Sequence, residues 1–109
     1  MRFEVEVMFY FKKQAKRLAK KYPSLSKKLF EVILSLEESP NQGTRIGKSC
    51  YKILLSIASK SKGKFGGARV ITHVQVTKKK VFLLSIYDKS EMGNSTSSDL
   101  NDLLDLIPQ

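Results

Sequence analysis

Cations spaced by small residues are the groups in this chain best suited to chemistry. The run Lys60-Ser-Lys-Gly-Lys-Phe-Gly-Gly-Ala-Arg69 alternates Lys60, Lys62 and Lys64 with small residues, then adds a Gly-Gly pair and an arginine. Lysine and arginine at this density serve polyanions, because each displaces condensed counterions from a phosphate backbone. The glycines let the backbone bend sharply or pass close to a ligand. The run reads either as a flexible phosphate-handling loop feeding a fixed arginine, or as a solvated hairpin tip with lysines for solubility. Lys52 lies on a strand-like stretch before it, and Tyr87 closes a later one, followed by Asp88, Lys89 and Glu91. Phosphate binders beside an aromatic surface are how single-stranded RNA is commonly held.

The elements that must position these groups follow an α+β order. Phe3, Val5 and Val7 alternate with Glu4 and Glu6, which predicts a half-buried strand. Phe11, Ala15, Leu18, Ala19 and Tyr22 fall at helical spacing, with Lys12, Lys13, Lys16, Arg17, Lys20 and Lys21 turned away. Pro23 ends that helix, and Ser24 is placed to cap the next, whose inner face is Leu25, Leu29, Ile33 and Leu36. The segment Ser39-Pro-Asn-Gln-Gly43 reads as a turn. Tyr51, Ile53, Leu55 and Ile57 mark a strand, and the 69–76 and 81–87 segments mark two more, joined through Thr77-Lys-Lys-Lys80 as a hairpin. Leu100, Leu103, Leu104 and Ile107 give a short amphipathic helix. The predicted order is β-α-α-β-β-β-α over a single domain spanning 1–109, with an antiparallel sheet and both N-terminal helices on one face.

Composition narrows the partners. The 109 residues carry 20 Lys+Arg against 10 Asp+Glu, a formal charge of +10, which favours nucleic acid or another acidic partner. A membrane is the competing polyanion, yet no apolar run approaches the ~20 residues of a spanning helix. Two glutamates interrupt the N-terminal stretch where a signal peptide needs apolar residues, so the expectation is a soluble cytoplasmic protein. One Cys and one His form no metal-ligand cluster, so neither metal nor cofactor is expected. Cys50 reads as a small hydrophobe beside a strand. Charge is also uneven. No lysine or arginine follows Lys89, whereas Glu91, Asp99, Asp102 and Asp105 all lie in that tail. An oriented cationic surface follows.

Strand periodicity gathers the candidate residues. Lys52 falls on the face opposite Tyr51, Ile53 and Ile57, and Arg69 shares a face with Ile71 and His73. With the strands as neighbours, Lys52, Arg69 and Tyr87 come together beside the lysine loop. His73 lies on the same face but farther along, and reads as a sheet-face histidine or a contact for RNA rather than a proton shuttle.

Together these fragments resemble the RelE/ParE superfamily of toxins from bacterial toxin–antitoxin modules, nearest its RelE- and HigB-like members. The carriers are Phe11-Lys-Lys, Leu18-Ala-Lys-Lys-Tyr-Pro-Ser-Leu25, Pro40-Asn-Gln-Gly43, Tyr51-Lys-Ile, Lys62-Gly-Lys-Phe-Gly-Gly-Ala-Arg-Val-Ile71 and Leu83-Leu-Ser-Ile-Tyr-Asp-Lys-Ser-Glu91, in order along nearly the whole chain. The resemblance implies a metal-independent ribonuclease that cuts messenger RNA in the ribosomal A site. It also implies silencing by a cognate antitoxin, with DNA met only through the antitoxin complex. In that chemistry a ribose 2′-hydroxyl attacks its neighbouring phosphate, which calls for a base, cations for the developing charge, and an acid for the departing oxygen. A lysine can serve as base because positive neighbours disfavour its charged form.

By the same resemblance Lys52 is the candidate base or phosphate ligand, and Arg69 the stabiliser of the transition state. Lys60, Lys62 and Lys64 would hold the RNA backbone, and Phe65 would add a stacking surface. Tyr87 would stack on a base or position the 2′-hydroxyl, while Lys89 or Glu91 would complete proton transfer. One departure stands out. Where these toxins carry a second cation two residues beyond the strand lysine, this chain has Leu54. Deleting one electrostatic stabiliser costs roughly 3 kcal/mol. Two further readings therefore stay open, a ParE-like gyrase binder without nuclease activity and a degenerate toxin that only binds its antitoxin.

Overall fold

The computed structural model describes residues 2–56, 67–88 and 97–107. The elements are β1 (Glu4–Val7), α1 (Phe9–Lys21), α2 (Leu25–Glu38), β2 (Thr44–Gly47), β3 (Cys50–Leu55), β4 (Ala68–Gln75), β5 (Lys80–Asp88) and α3 (Ser97–Leu104). They form an α+β fold around a five-stranded sheet of order β1-β5-β4-β3-β2. Among the expected site residues, Lys60, Lys62, Lys64, Phe65, Lys89 and Glu91 lie outside the described residues, as does Ile57 of the expected second strand.

α1 and α2 form where the apolar spacing places them. Phe11 and Leu18 of α1 and Leu25, Leu29 and Leu36 of α2 are buried, while Lys12, Lys13, Lys16, Arg17, Lys20 and Lys21 all face solvent. Tyr22 and Ile33 are half-buried and pack at the margin of that core. Pro23 follows the last turn of α1, whose cap N–H from Tyr22 donates to the Leu18 carbonyl. Ser24 occupies the cap position of α2 but makes no side-chain capping bond. Its φ of −75° and ψ of −7° are already helical, and the usual capping geometry needs an extended backbone there.

The sheet corrects the expected order and pairing. An additional strand, β2, precedes β3, giving β-α-α-β-β-β-β-α. It is joined to β3 by the two residues Lys48 and Ser49, both with positive φ (53° and 59°). That is the mirror-image turn usually written with Asn or Gly, so the Lys-Ser pair conceals it. Gly43 fixes the approach to β2. Its φ is +94°, and a side chain there would collide with the Lys52 carbonyl. The sheet is antiparallel from β2 to β5, but β1 runs parallel to β5, with Glu4 opposite Lys80 and Val7 opposite Leu83. No hairpin joins β1 to β5. β1 passes directly into α1, which packs along β5, so the crossover rather than a turn sets its direction.

Two apolar layers cover the two faces. Ile53, Leu55, Ala68, Val70, Val74, Val81, Leu83 and Ile86 meet α1 and α2. Cys50, Ile71, Phe82, Leu84 and Tyr87 meet Leu100 and Ile107 of the C-terminal segment.

Candidate functional site

The site is set by the register of β3, β4 and β5. Arg69 lies directly opposite Leu54 on one side and Tyr87 on the other, so these three residues form one rung. The next rung is Lys52, Ile71 and Ser85, and the third is Cys50, His73 and Phe82. Directly opposed residues have Cβ atoms about 4.5–5.5 Å apart, which brings Arg69 within side-chain reach of both neighbours. Lys52 is one rung away on the same face.

Burial grades the rungs. Lys52 and Arg69 are half-buried, and Leu54 is 61% exposed beside Arg69. Tyr87 is 3% exposed and packs in the cluster that contains Leu100 and Ile107. So buried, the Tyr87 ring presents no open face for a base to stack on in this structure. Just beyond it, Asp88 turns to the opposite face and accepts a hydrogen bond of 2.8 Å from Tyr22 OH, with Lys21 Nζ at 3.9 Å. This pairing ties the end of β5 to the end of α1. No feature of the linear sequence marks it, because a Tyr and an Asp so far apart carry no shared pattern.

His73 belongs to a different place. It lies four residues from Arg69, about 13 Å along the strand at ~3.3 Å per residue. Its Nδ1 is 3.1 Å from the Lys48 carbonyl, and since a carbonyl can only accept, that nitrogen carries the proton. Burial lowers the His73 pKa below the usual histidine value, and the bond to the Lys48 carbonyl opposes the shift. Cys50 donates to the same carbonyl at 3.5 Å, and its thiol is pushed up to about 11 by burial, partly offset by the charge of Lys48. A thiol held protonated in this way is inert, in keeping with a structural role. The Cys50–His73 pair thus braces the β2–β3 turn, while Arg69, Lys52 and Tyr87 gather at the other end of the face.

No protein-family model matches the chain. Solved structures do. A doubly substituted form of the E. coli toxin RelE in the free state superposes with a TM-score of 0.64 at 21% identity, covering 99% of this chain and 100% of that one. The fold is that of RelE. The intact E. coli RelBE toxin–antitoxin complex contains a chain 28% identical to this one, with a TM-score of 0.50 over 79% of this chain and 95% of that one. The RelE fold explains the architecture at full length. Within it, the three-rung face is where this chain places its paired Arg69 and Tyr87, with Lys52 beside them.

The sequence nominated Lys52, Arg69, Tyr87 and the departure at Leu54, but not the groups that support their strands. Those are Gly43 against the Lys52 carbonyl, Tyr22 on Asp88, and Gln14, whose Oε1 accepts hydrogen bonds from Ser85 Oγ at 3.1 Å and Ile86 N–H at 3.2 Å. The Tyr22 and Gln14 contacts are long-range. Only the unpaired Gly43 before a strand-like stretch offered a local signal.

Proposed function

We propose that this chain is the toxin of a toxin–antitoxin module, acting in the cytoplasm as an endoribonuclease on messenger RNA held in the ribosomal A site and silenced by a cognate antitoxin. The observation that carries the reading is the Arg69–Tyr87 rung with Lys52 one rung away, on a fold shared over its full length with RelE. In the proposed reaction the 2′-oxygen of one nucleotide attacks the adjacent phosphorus. Its proton passes to a base, with Lys52 the candidate. The P–O5′ bond breaks, and the departing oxygen takes a proton from Lys89 or Glu91, the candidate acids, leaving a 2′,3′-cyclic phosphate and a 5′-hydroxyl. Arg69 faces the equatorial oxygens where negative charge accumulates, and a fixed planar cation there acts most strongly on the transition state. The solvent-facing cations of α1 supply a separate cationic contact suited to ribosomal RNA.

Leu54 favours a second reading. An exposed leucine in the same rung as Arg69 places a hydrocarbon where a further cation would meet the phosphate. A toxin that retains antitoxin binding but cleaves weakly would have this composition.

Induced expression separates the possibilities. The expected outcome is arrested translation, with breaks in ribosome-engaged messenger and unchanged DNA supercoiling. Double-strand DNA breaks with intact messenger would transfer the case to gyrase binding. No cleavage together with tight binding of an antitoxin encoded beside it would support the degenerate form.

A further inference from the structure

β1 pairs with β5 only from Lys80 to Leu83. Beyond Leu83 the outer edge of β5 has no strand beside it among the described residues, and a buried edge amide without a partner costs about 1–3 kcal/mol. Ile86 N–H finds that partner in the side chain of Gln14 on α1, donating to its Oε1 at 3.2 Å. Ser85 Oγ donates to the same oxygen at 3.1 Å, and Gln14 Nε2 donates to Tyr10 OH at 3.2 Å. The half-buried amide is thus held at both ends.

These bonds close on an irregularity in the strand. The β4–β5 register passes from Thr72 opposite Leu83 to Ile71 opposite Ser85, so β5 carries one extra residue, Leu84. In an unbroken strand, residues an odd number apart face opposite sides. Here Leu83 and Ile86 share the layer under α1 and α2, while Leu84 and Tyr87 share the other. The bulge has advanced the phase by one residue. Without it Tyr87 would turn toward α1 and α2, and Ile86 would lie in the rung of Arg69.

We propose that Gln14 is a positioning residue for the site: by clamping the β5 bulge it sets the phase that places Tyr87 against Arg69. The consequence for cleavage rests on the function proposed above, whereas the geometric claim stands without it. A carboxylate oxygen can accept both bonds, so Gln14→Glu preserves the clamp. Gln14→Leu matches the size and removes the acceptor.

The test combines NMR of the full chain with single-turnover cleavage of ribosome-bound messenger. Gln14→Leu is expected to speed hydrogen exchange at the Ile86 amide, to weaken the cross-strand contacts between Arg69 and Tyr87, and to slow cleavage at saturating ribosome about tenfold, with unchanged ribosome binding. Gln14→Glu restores all three, and Gln14→Leu adds nothing to the loss caused by Tyr87→Phe. Ser85→Ala, which removes one of the two bonds, gives a smaller change in the same direction and serves if Gln14→Leu does not fold. The proposal is overturned if Gln14→Leu leaves the Arg69–Tyr87 contacts intact, or if its kinetic loss is the same in the Tyr87→Phe background. Wild-type cleavage by Tyr87→Phe refutes a role for the Tyr87 hydroxyl instead, and the NMR contacts then decide the clamp alone.

Discussion

The two faces of one sheet follow different rules. Under α1 and α2 the strands present Val70, Val74, Val81, Leu83 and Ile86, none more than 5% exposed, and the one acid there, Asp88, is held by Tyr22 OH. The other face has its own apolar residues in Ile71, Phe82 and Leu84, but Lys52, Arg69 and His73 interrupt it and Leu54 stands 61% exposed. The first face stabilises the fold by continuous burial. The second holds polar groups at strand spacing on a rigid floor, and stability is not what its exposed positions contribute. The same strands serve both purposes because alternate residues point opposite ways.

The largest expected effect breaks the first face. Leu18, 1% exposed in α1, touches the sheet core, so Leu18→Ala is expected to cost about 2–5 kcal/mol of unfolding free energy in urea titration. Leu54→Ala is expected to change it by under ~0.5 kcal/mol. Equal losses would erase the contrast between the faces. On the second face, Arg69→Ala is expected to lower the cleavage rate about hundredfold, roughly 2.7 kcal/mol in the barrier, with a smaller change in stability than Leu18→Ala. Retention of full toxicity would show that the phosphate does not sit at this rung.

Leu54→Arg sharpens the comparison from the other direction. It adds a guanidinium beside Arg69, and cleavage is expected to rise by up to about tenfold. No rise, combined with loss of cleavage in Lys62→Ala or Lys64→Ala, would move the chemistry to the lysine loop. A smaller effect concerns Thr72, fully buried with no hydrogen-bond partner for Oγ1 among the described residues. Thr72→Val removes that orphan at nearly constant shape and is expected to raise stability by about 1 kcal/mol in the same urea titration.

The smallest expected effect is the pH dependence carried by His73. Its folded pKa lies below the ordinary value of 6.5, so the unfolded chain takes up the proton more readily. The contribution of neutral His73 is complete above about pH 6.5 and is lost as pH falls through the lower folded value. His73→Gln should flatten that part of the stability profile, and an unchanged slope would assign it to other groups.

Much of the architecture was legible because it is local. The period of Phe11, Ala15 and Leu18 yields α1 within two residues of its observed start, Pro23 marks its end, and alternation at Tyr51 to Leu55 yields both β3 and the face of Lys52. β2 escaped because Lys48 and Ser49 adopt a conformation that their residue types seldom signal. The parallel pairing of β1 escaped because its partner is distant in sequence and no turn joins them.

The site divides along the same line. Which residues carry the charge, and that Lys52 and Arg69 lie on alternating strands, could be read from residue type and period alone. The face that Tyr87 takes could not. The stretch Lys80–Asp88 is buried on both faces after its first residue, so it has no alternation from which a face could be assigned. Only the tertiary structure decided it, through an extra residue at Leu84 and an acceptor on a different helix, because the phase of a doubly buried strand is set by the partners that satisfy its backbone rather than by its own pattern.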